Sequence, residues 1–451
     1  MKNLLFFLLY FCITPVVDAQ VVDKQEGFVL EPGIDKEKIS FESYSNLIII
    51  PVKVNDVDFN FILDTGATKT IIFNLRGIDS LSIKKGKYIQ VNGYGKKKSV
   101  RAYHSLGNRI EVGKHIINKD AEVLVLGDTE IDMSPKLDVE VHGLLSVDFL
   151  KNFISHIDYE DSYVKVFNNF DDLPNFLRKA KQFDMNIKIN RPFVNINLDN
   201  DLVKGDYELL IDTGSGDALW ILNEIGKDAI FKNSFEDYLG FGINGNIYGL
   251  RTKVNSLKLF NSTLKKVAVS YPYKEYHSIK KTSFTHDGSL GGEVLRRFDV
   301  VIDYPNRKIS MIPNRSFDEG FYYNMSGIGV QKGELDLFTT YGVKDFTDRK
   351  VGYGNSTSTI TTIDVSQRVR LSYQYVSKIY VDYIREGSPG DKAGIVVGDQ
   401  IIGINRYNQR QLTMNKVTEL FFKNPYKKLK IRIKRGDKIF KVEMVNVPLV
   451  L

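Results

Sequence analysis

The chain of 451 residues contains a single cysteine, Cys12, and six histidines. A disulfide scaffold and a cysteine-ligated zinc site are excluded by that count, and so is a thiol protease if the N-terminal segment carrying Cys12 is removed. Long apolar runs are missing too: beyond the first twenty residues no stretch resembles the ~18 apolar residues of a membrane-spanning helix. Neither charge dominates, since 62 Lys and Arg face 55 Asp and Glu, and a net charge of +7 over so long a chain indicates little about acidic partners. Hydrophobic residues make up 43% and charged residues 26%, close to ordinary soluble globular proteins, which excludes disordered, collagen-like and multi-span membrane classes. At roughly 100–200 residues per domain the length suggests two to four domains.

Residues 1–19 read as a secretory signal. Lys2 is the positive start, residues 4–17 form an apolar stretch interrupted by Pro15, and Val17-Asp18-Ala19 places acceptable residues at a cleavage site. The apolar stretch is too short to cross the roughly 30 Å of membrane hydrocarbon. The expectation is an exported protein, periplasmic or secreted, with no stable transmembrane anchor and no cysteine after cleavage.

The interior contains a repeat. Asp-Thr-Gly occurs at Asp64-Thr65-Gly66 and again at Asp212-Thr213-Gly214, although average composition gives that tripeptide about once in 5,000 positions. Phe61-Ile62-Leu63 leads into the first and Leu209-Leu210-Ile211 into the second, each a short buried-strand pattern, and a small residue follows each, Ala67 and Ser215. Downstream, His142-Gly143-Leu144-Leu145 matches Asp287-Gly288-Ser289-Leu290. From there Leu150, Phe153, Ile157, Asp158 and Tyr159 recur as Leu295, Phe298, Ile302, Asp303 and Tyr304. Each half closes on an alternating strand, Tyr163-Val164-Lys165-Val166-Phe167 and Lys308-Ile309-Ser310-Met311-Ile312. Gly- and Asn-containing turns punctuate both halves, as at Gly93-Tyr94-Gly95 and Gly242-Ile243-Asn244-Gly245. The pattern predicts two similar β lobes joined near residues 171–182.

Two carboxylates brought together from different lobes have a definite chemistry. Like charges about 3 Å apart cannot both ionise, so the pair shares one proton. The ionised member can take a proton from water while the protonated member donates to a peptide carbonyl oxygen, without metal or cofactor. Gly66 and Gly214 let backbone approach the carboxylates. Thr65 and Thr213 can bond across the lobe interface. The Ser215 hydroxyl can donate to Asp212, whereas Ala67 offers Asp64 no such bond, so the expectation is that Asp212 carries the charge and Asp64 the proton.

These residues resemble a bilobal aspartic protease of the pepsin/retropepsin type, specifically the bacterial exported form with a C-terminal PDZ domain. Phe61-Ile62-Leu63-Asp64-Thr65-Gly66-Ala67 is similar to the retropepsin motif, and Leu210-Ile211-Asp212-Thr213-Gly214-Ser215, followed by Trp220, to the pepsin motif. The resemblance covers about residues 40–315. It implies Asp64 and Asp212 as a catalytic dyad, loop support from Thr65, Gly66, Ala67, Thr213, Gly214 and Ser215, a flap near Tyr94, and proteins or peptides as substrates. His142 stands where the family has Asp, Ser289 replaces a large aliphatic residue and Ser146 a glycine.

After Pro313 the pattern changes. Glu386-Gly387-Ser388-Pro389, Lys392-Ala393-Gly394-Ile395 and residues 398–405 resemble the core of a PDZ domain. The loop Ser326-Gly327-Ile328-Gly329-Val330 resembles its carboxylate-binding loop, whose consecutive N–H groups would hold a peptide C-terminus. Met414 to Phe422 has the pattern of an amphipathic helix with Thr413 as N-cap. Residues 338–376 read as an insertion or extra hairpin. The basic run around residues 427–441 alternates with Leu429, Ile431 and Ile433, so its charges are the wet face of a strand rather than a nucleic-acid site.

The fold expected is mainly β, with a leader at 1–19, an N-terminal lobe at 20–175, a C-terminal lobe at 176–315 and an α/β PDZ domain at 316–451. The function expected is an exported aspartic endopeptidase with PDZ-mediated peptide recognition and no metal or cofactor. The alternative is an inactive bilobal scaffold that binds peptides through the PDZ domain. A third reading makes residues 20–38 a removable pro-segment.

Overall fold

The structure, a computed structural model, describes residues 27–91, 93–95, 99–126, 132–199, 204–222, 233–273, 286–344, 368–423 and 425–450. The expected leader, the Lys96-Lys97-Lys98 turn and residues 345–367 of the expected insertion lie outside the described residues.

Alternating buried positions in short strands close into two similar barrels of six strands each. In the first, the ring runs Leu47–Val54, Val57–Asp64, Gly143–Ser146, Thr70–Ile72, Ile116–Leu126 and Val100–Val112, which pairs back with the first strand. In the second, Arg191–Asp199, Lys204–Asp212, Gly288–Gly291, Leu219–Ile221, Ser262–Pro272 and Gly245–Leu259 repeat that order. Closure leaves few free strand edges, and apolar residues such as Ile50, Phe61 and Leu63 in one barrel and Val194, Leu209 and Ile211 in the other fill the interiors.

A separate six-stranded sheet joins the halves. Its centre pairs Ile154–Asp158 with Phe298–Asp303, the two copies of one repeated segment, antiparallel and with Ser155 opposite Ile302. The strand Lys36–Ser40 completes one edge, and Val29–Leu30 pairs within the first barrel. The described part of the 20–38 segment is thus woven into two sheets, which argues against its being a detachable pro-segment.

The C-terminal β/α region has a sheet of its own, built from Ile328–Lys344, Arg368–Ile384, Gln400–Ile404, Lys428–Arg435 and Lys438–Val445, with Tyr407–Asn408 alongside. The helix Met414–Phe422 covers one face through Met414, Val417 and Phe421, and Thr413 Oγ1 accepts the Lys416 N–H at 3.1 Å. Leu429, Ile431 and Ile433 point into this core while the intervening Lys and Arg face outward. The first two strands form one long hairpin whose far ends flank the residues not described.

This region is fastened to both lobes. Asp138 of the first lobe accepts the N–H groups of Met414 (2.6 Å) and Asn415 (2.8 Å), so a carboxylate from one domain satisfies the exposed donors at the helix start of another. Lys136 pairs with Asp382, and burial pulls its ammonium down to about 8. On the second lobe, Arg385 pairs with Asp237 at 3.3 Å, both almost fully buried. Asp237 also holds Arg251.

Replacing Asp138 by Ala removes both acceptors from the helix start and is expected to cost about 1–2 kcal/mol of unfolding free energy, read from urea denaturation. Asp138→Asn, which keeps an acceptor oxygen, should lose less. Equal stability of all three proteins would show that the capping contact contributes nothing.

Candidate active site

The two Asp-Thr-Gly turns end parallel-paired strands. Val57–Asp64 is flanked by Gly143–Ser146, and Lys204–Asp212 by Gly288–Gly291, so each aspartate leaves its barrel at the same point of the repeat. Gly143 and Gly288 serve a tight approach of strands: a Cβ there would stand 2.1 Å from the Ile71 carbonyl oxygen and 1.9 Å from that of Trp220. His142, which the repeat aligns with Asp287, does the work of a carboxylate. Its Nδ1 accepts the Asn60 N–H at 3.1 Å, as Asp287 Oδ2 accepts the Glu208 N–H at 2.8 Å.

Four hydrogen bonds lock the turns to each other. Thr65 Oγ1 donates to the Ile211 carbonyl (2.6 Å) and accepts the Thr213 N–H (3.0 Å). Thr213 Oγ1 donates to the Leu63 carbonyl (2.6 Å) and accepts the Thr65 N–H (3.1 Å). Both threonines have no exposed surface. Each glycine then lies against the opposite carboxylate. A Cβ on Gly66 would be 3.1 Å from Asp212 Oδ1 as well as from Asp64 Oδ1, and one on Gly214 would be 2.3 Å from Asp64 Cγ. The geometry brings together Asp64, Asp212 and all six of the expected supporting residues.

The carboxyls sit deep in the protein while part of their surface faces the space between the lobes. Asp64 Oδ1 accepts the N–H groups of Gly66 (2.8 Å) and Ala67 (3.0 Å), and Asp212 Oδ1 that of Gly214 (3.1 Å). Burial raises both above the usual carboxylate range. For Asp64 the two backbone donors oppose the rise; for Asp212 the charge of Asp64 adds to it. The pair therefore holds one proton between its two members at a pH where ordinary carboxylates are already ionised. The bond expected from the Ser215 hydroxyl to Asp212 is made instead by the Ser215 backbone N–H.

Two hairpin tips, one from each lobe, meet over this region. Asn244 donates its backbone N–H to the Tyr94 carbonyl and its Nδ2 to the Gly93 carbonyl, both at 2.9 Å. Tyr94 crosses to the second lobe and packs edge-on against Trp220, with ring centroids 5.9 Å apart. Burial, and then the charge of Asp212, push its phenol up. Phe241 and Ile243 cross the other way, onto the apolar cluster of the first lobe. Tyr94 is therefore an inter-lobe contact rather than a solvated hairpin tip. Its partner tip was visible in the sequence only as a second Gly-Asn turn.

Sequence reasoning missed a polar chain behind the second turn. Asp217 accepts from Trp220 Nε1 (2.7 Å), Ser270 Oγ (2.9 Å) and Arg251 Nη1 (3.1 Å). Through Arg251 and Asp237 the chain reaches Arg385 of the C-terminal region. No motif marks these residues, which lie far apart in sequence.

In the loop expected to bind a carboxylate, the chain has used the first donors itself. The Gly327 N–H goes to Asn324 Oδ1 (3.1 Å) and the Ile328 N–H to Ser326 Oγ (3.0 Å). Ile328 and Val330 are buried in the local core, and Gly329 is paired opposite Tyr383. Gly327 and Ile328 do not form the row of free donors that the resemblance implied. As for metals, His156, Asp158 and Asp299 have donor atoms within 4.8 Å of one another, but they lie in the inter-lobe sheet, with His156 already bonded to Asp299 at 2.9 Å.

Comparison with known families gives one match: the family model described as aspartyl protease covers residues 50–149, the stretch from the strand before Asp64 through the strand Gly143–Ser146. No curated protein matches. An aspartic-protease-type domain is thus present in the first lobe, which is consistent with peptidase activity, and the second barrel repeats its architecture.

Replacing Thr65 by Val strands the Thr213 N–H and the Ile211 carbonyl in a buried site, at an expected cost of about 1–3 kcal/mol. Thr213→Val should cost the same by symmetry. The double variant should cost less than the sum, since the two hydroxyls serve one network, and Thr→Ser at either position should recover most of the loss. Additive losses in urea unfolding would show that the two hydroxyls act independently.

Proposed function

We propose that this chain is an exported aspartic-type endopeptidase. One observation carries the reading: two Asp-Thr-Gly turns are locked by reciprocal threonine bonds so that each glycine abuts the opposite carboxylate. In this mechanism a water oxygen attacks the peptide carbonyl carbon and gives a proton to the ionised member of the Asp64–Asp212 pair. The protonated member gives its proton to the carbonyl oxygen, forming a tetrahedral diol. On collapse the nitrogen takes the proton that water gave up, the C–N bond breaks, and the diol returns a proton to the other carboxylate. The hairpin tips around Tyr94 and Asn244 act as a paired cover that must part for substrate to enter.

The C-terminal region supports a PDZ-like reading in its order of strands and its helix, with recognition along the edge strand Ile328–Lys344. The turn Ser134–Lys136 of the first lobe lies against that strand, and Asp138 caps the helix beside it. These contacts favour the role of restraining the catalytic body over that of an open receptor for free C-termini. Export rests on the leader-like residues 1–19. Among the described residues no helix is long and apolar enough to cross a membrane.

Peptide cleavage by the full chain, followed from acid to neutral pH, tests the reading. Asp64→Asn and Asp212→Asn should each lower kcat by about 10²- to 10⁴-fold; activity surviving either change removes the dyad, and an inactive wild type leaves the peptide-binding scaffold. Hydrolysis needs one proton on the pair, so the acidic limb marks its first ionisation and the alkaline limb its second. Because burial raises both carboxyls, both limbs are expected above the ordinary carboxylate range. Ser215→Ala should leave both in place, and a shifted limb would restore the hydroxyl to a role in the dyad.

A further inference from the structure

The barrels are related residue by residue, and one break in that relation lies beside the aspartates. In the first lobe Ile49 is paired with Ile62; in the second, Phe193 is paired with Leu210. Two residues earlier on the same strand face stand Leu47 and Arg191. Likewise Ile71, paired with Leu144, corresponds to Trp220, paired with Ser289. The first-lobe wall is wholly aliphatic: Leu47, Ile49, Ile62 and Ile71 form one buried cluster, closed by Phe241 and Ile243 from the opposite hairpin. The second-lobe wall exchanges an aliphatic position for a cation.

Arg191 is half-buried, and its guanidinium lies 5.7 Å from the ring of Phe193. Its Nε is enclosed without a hydrogen-bond partner, and it pairs with no carboxylate among the described residues. In the register that sets Phe193 opposite Leu210, Arg191 two residues earlier comes level with Asp212, and its charge bears on Asp64, Asp212 and Tyr94. His286, against the other side of Phe193 at 5.5 Å, is drawn down to about 4 by burial and then by Arg191, so it stays neutral and brings no second cation. A half-buried guanidinium whose Nε lacks a partner and which has no counter-charge is a site that an anion can complete. Arg191 also eases ionisation of the dyad, behind both backbone donors at Asp64 and behind that of Gly214 at Asp212.

We infer that the second-lobe wall is a pocket for an acidic side chain of the substrate, with Arg191 pairing its carboxylate, while the first-lobe wall takes an apolar one. A guanidinium offers a carboxylate two parallel N–H donors, which a neutral amide cannot match. The inference rests on the peptidase reading for its setting, but binding alone can test it.

Peptides with a non-cleavable reduced amide at the centre would carry Glu or Gln at each position flanking that bond, and affinity for the full chain would be measured at neutral pH. At one position Glu should bind about tenfold or more tighter than Gln. Arg191→Leu, the residue of the first lobe, should bring that ratio to one, and Arg191→Lys should keep part of it. Taking the ratio within one protein cancels any effect of the substitution on the dyad. If Arg191→Leu fails to fold, raising the salt concentration on the wild type should shrink the ratio in its place. No Glu preference, one that survives Arg191→Leu or high salt, or no binding by any peptide overturns the inference. A Glu preference in binding without cleavage of the scissile counterparts would instead overturn the peptidase reading and leave the pocket standing.

Discussion

The structure depends on holding two carboxyl groups of like charge close together in a place that solvates them poorly. That arrangement is unstable to any movement that lets either side chain turn toward water, so its cost must be met by rigidity in the turns. The reciprocal bonds of Thr65 and Thr213 supply it: each hydroxyl bridges from its own turn to the strand leading into the other. Both residues are enclosed, so water cannot replace what they provide. Barrels, inter-lobe sheet and flanking strands bring these two turns to the same point.

The duplication is exact enough for each departure to have a meaning. His142 in place of Asp keeps the backbone bond that Asp287 makes, so the position needs an acceptor rather than a charge. Ala67 and Ser215 both serve through their backbone N–H groups. Each carboxyl thus has two backbone donors, Gly66 and Ala67 on Asp64 and Gly214 and Ser215 on Asp212. On the walls the departures go further, since Leu47 and Ile71 become Arg191 and Trp220, and the crossed hairpin tips meet two chemically unlike surfaces.

The C-terminal region is part of the body. Asp138 and Lys136 tie it to the first lobe and Asp237 to the second. The contact through Asp237 continues by way of Arg251 to Asp217, three residues beyond Gly214. A bond made at Arg385 is therefore connected by paired charges to the turn carrying Asp212.

The sequence by itself determined the duplication, the aspartates, the threonine pair and the alternation of the strands, because each is written in local pattern or in a tripeptide repeated with its context. It also determined the helix Met414–Phe422 and its Thr413 cap, where apolar spacing and one hydroxyl are enough. It assigned Ser215 a hydroxyl contact with Asp212 that its backbone N–H makes instead, since which group aims at which oxygen depends on how the turn is folded. It overstated the loop at Gly327 and Ile328, whose donors are taken by Asn324 and Ser326 through turns that composition does not reveal. Only the tertiary structure decided that Tyr94 meets Trp220, that Asp138 caps a helix 276 residues away, and that Arg191 stands beside the paired carboxyls. These contacts join residues that no period or motif connects. Their physical content is a distance in space, which chain order records only after the barrels have closed.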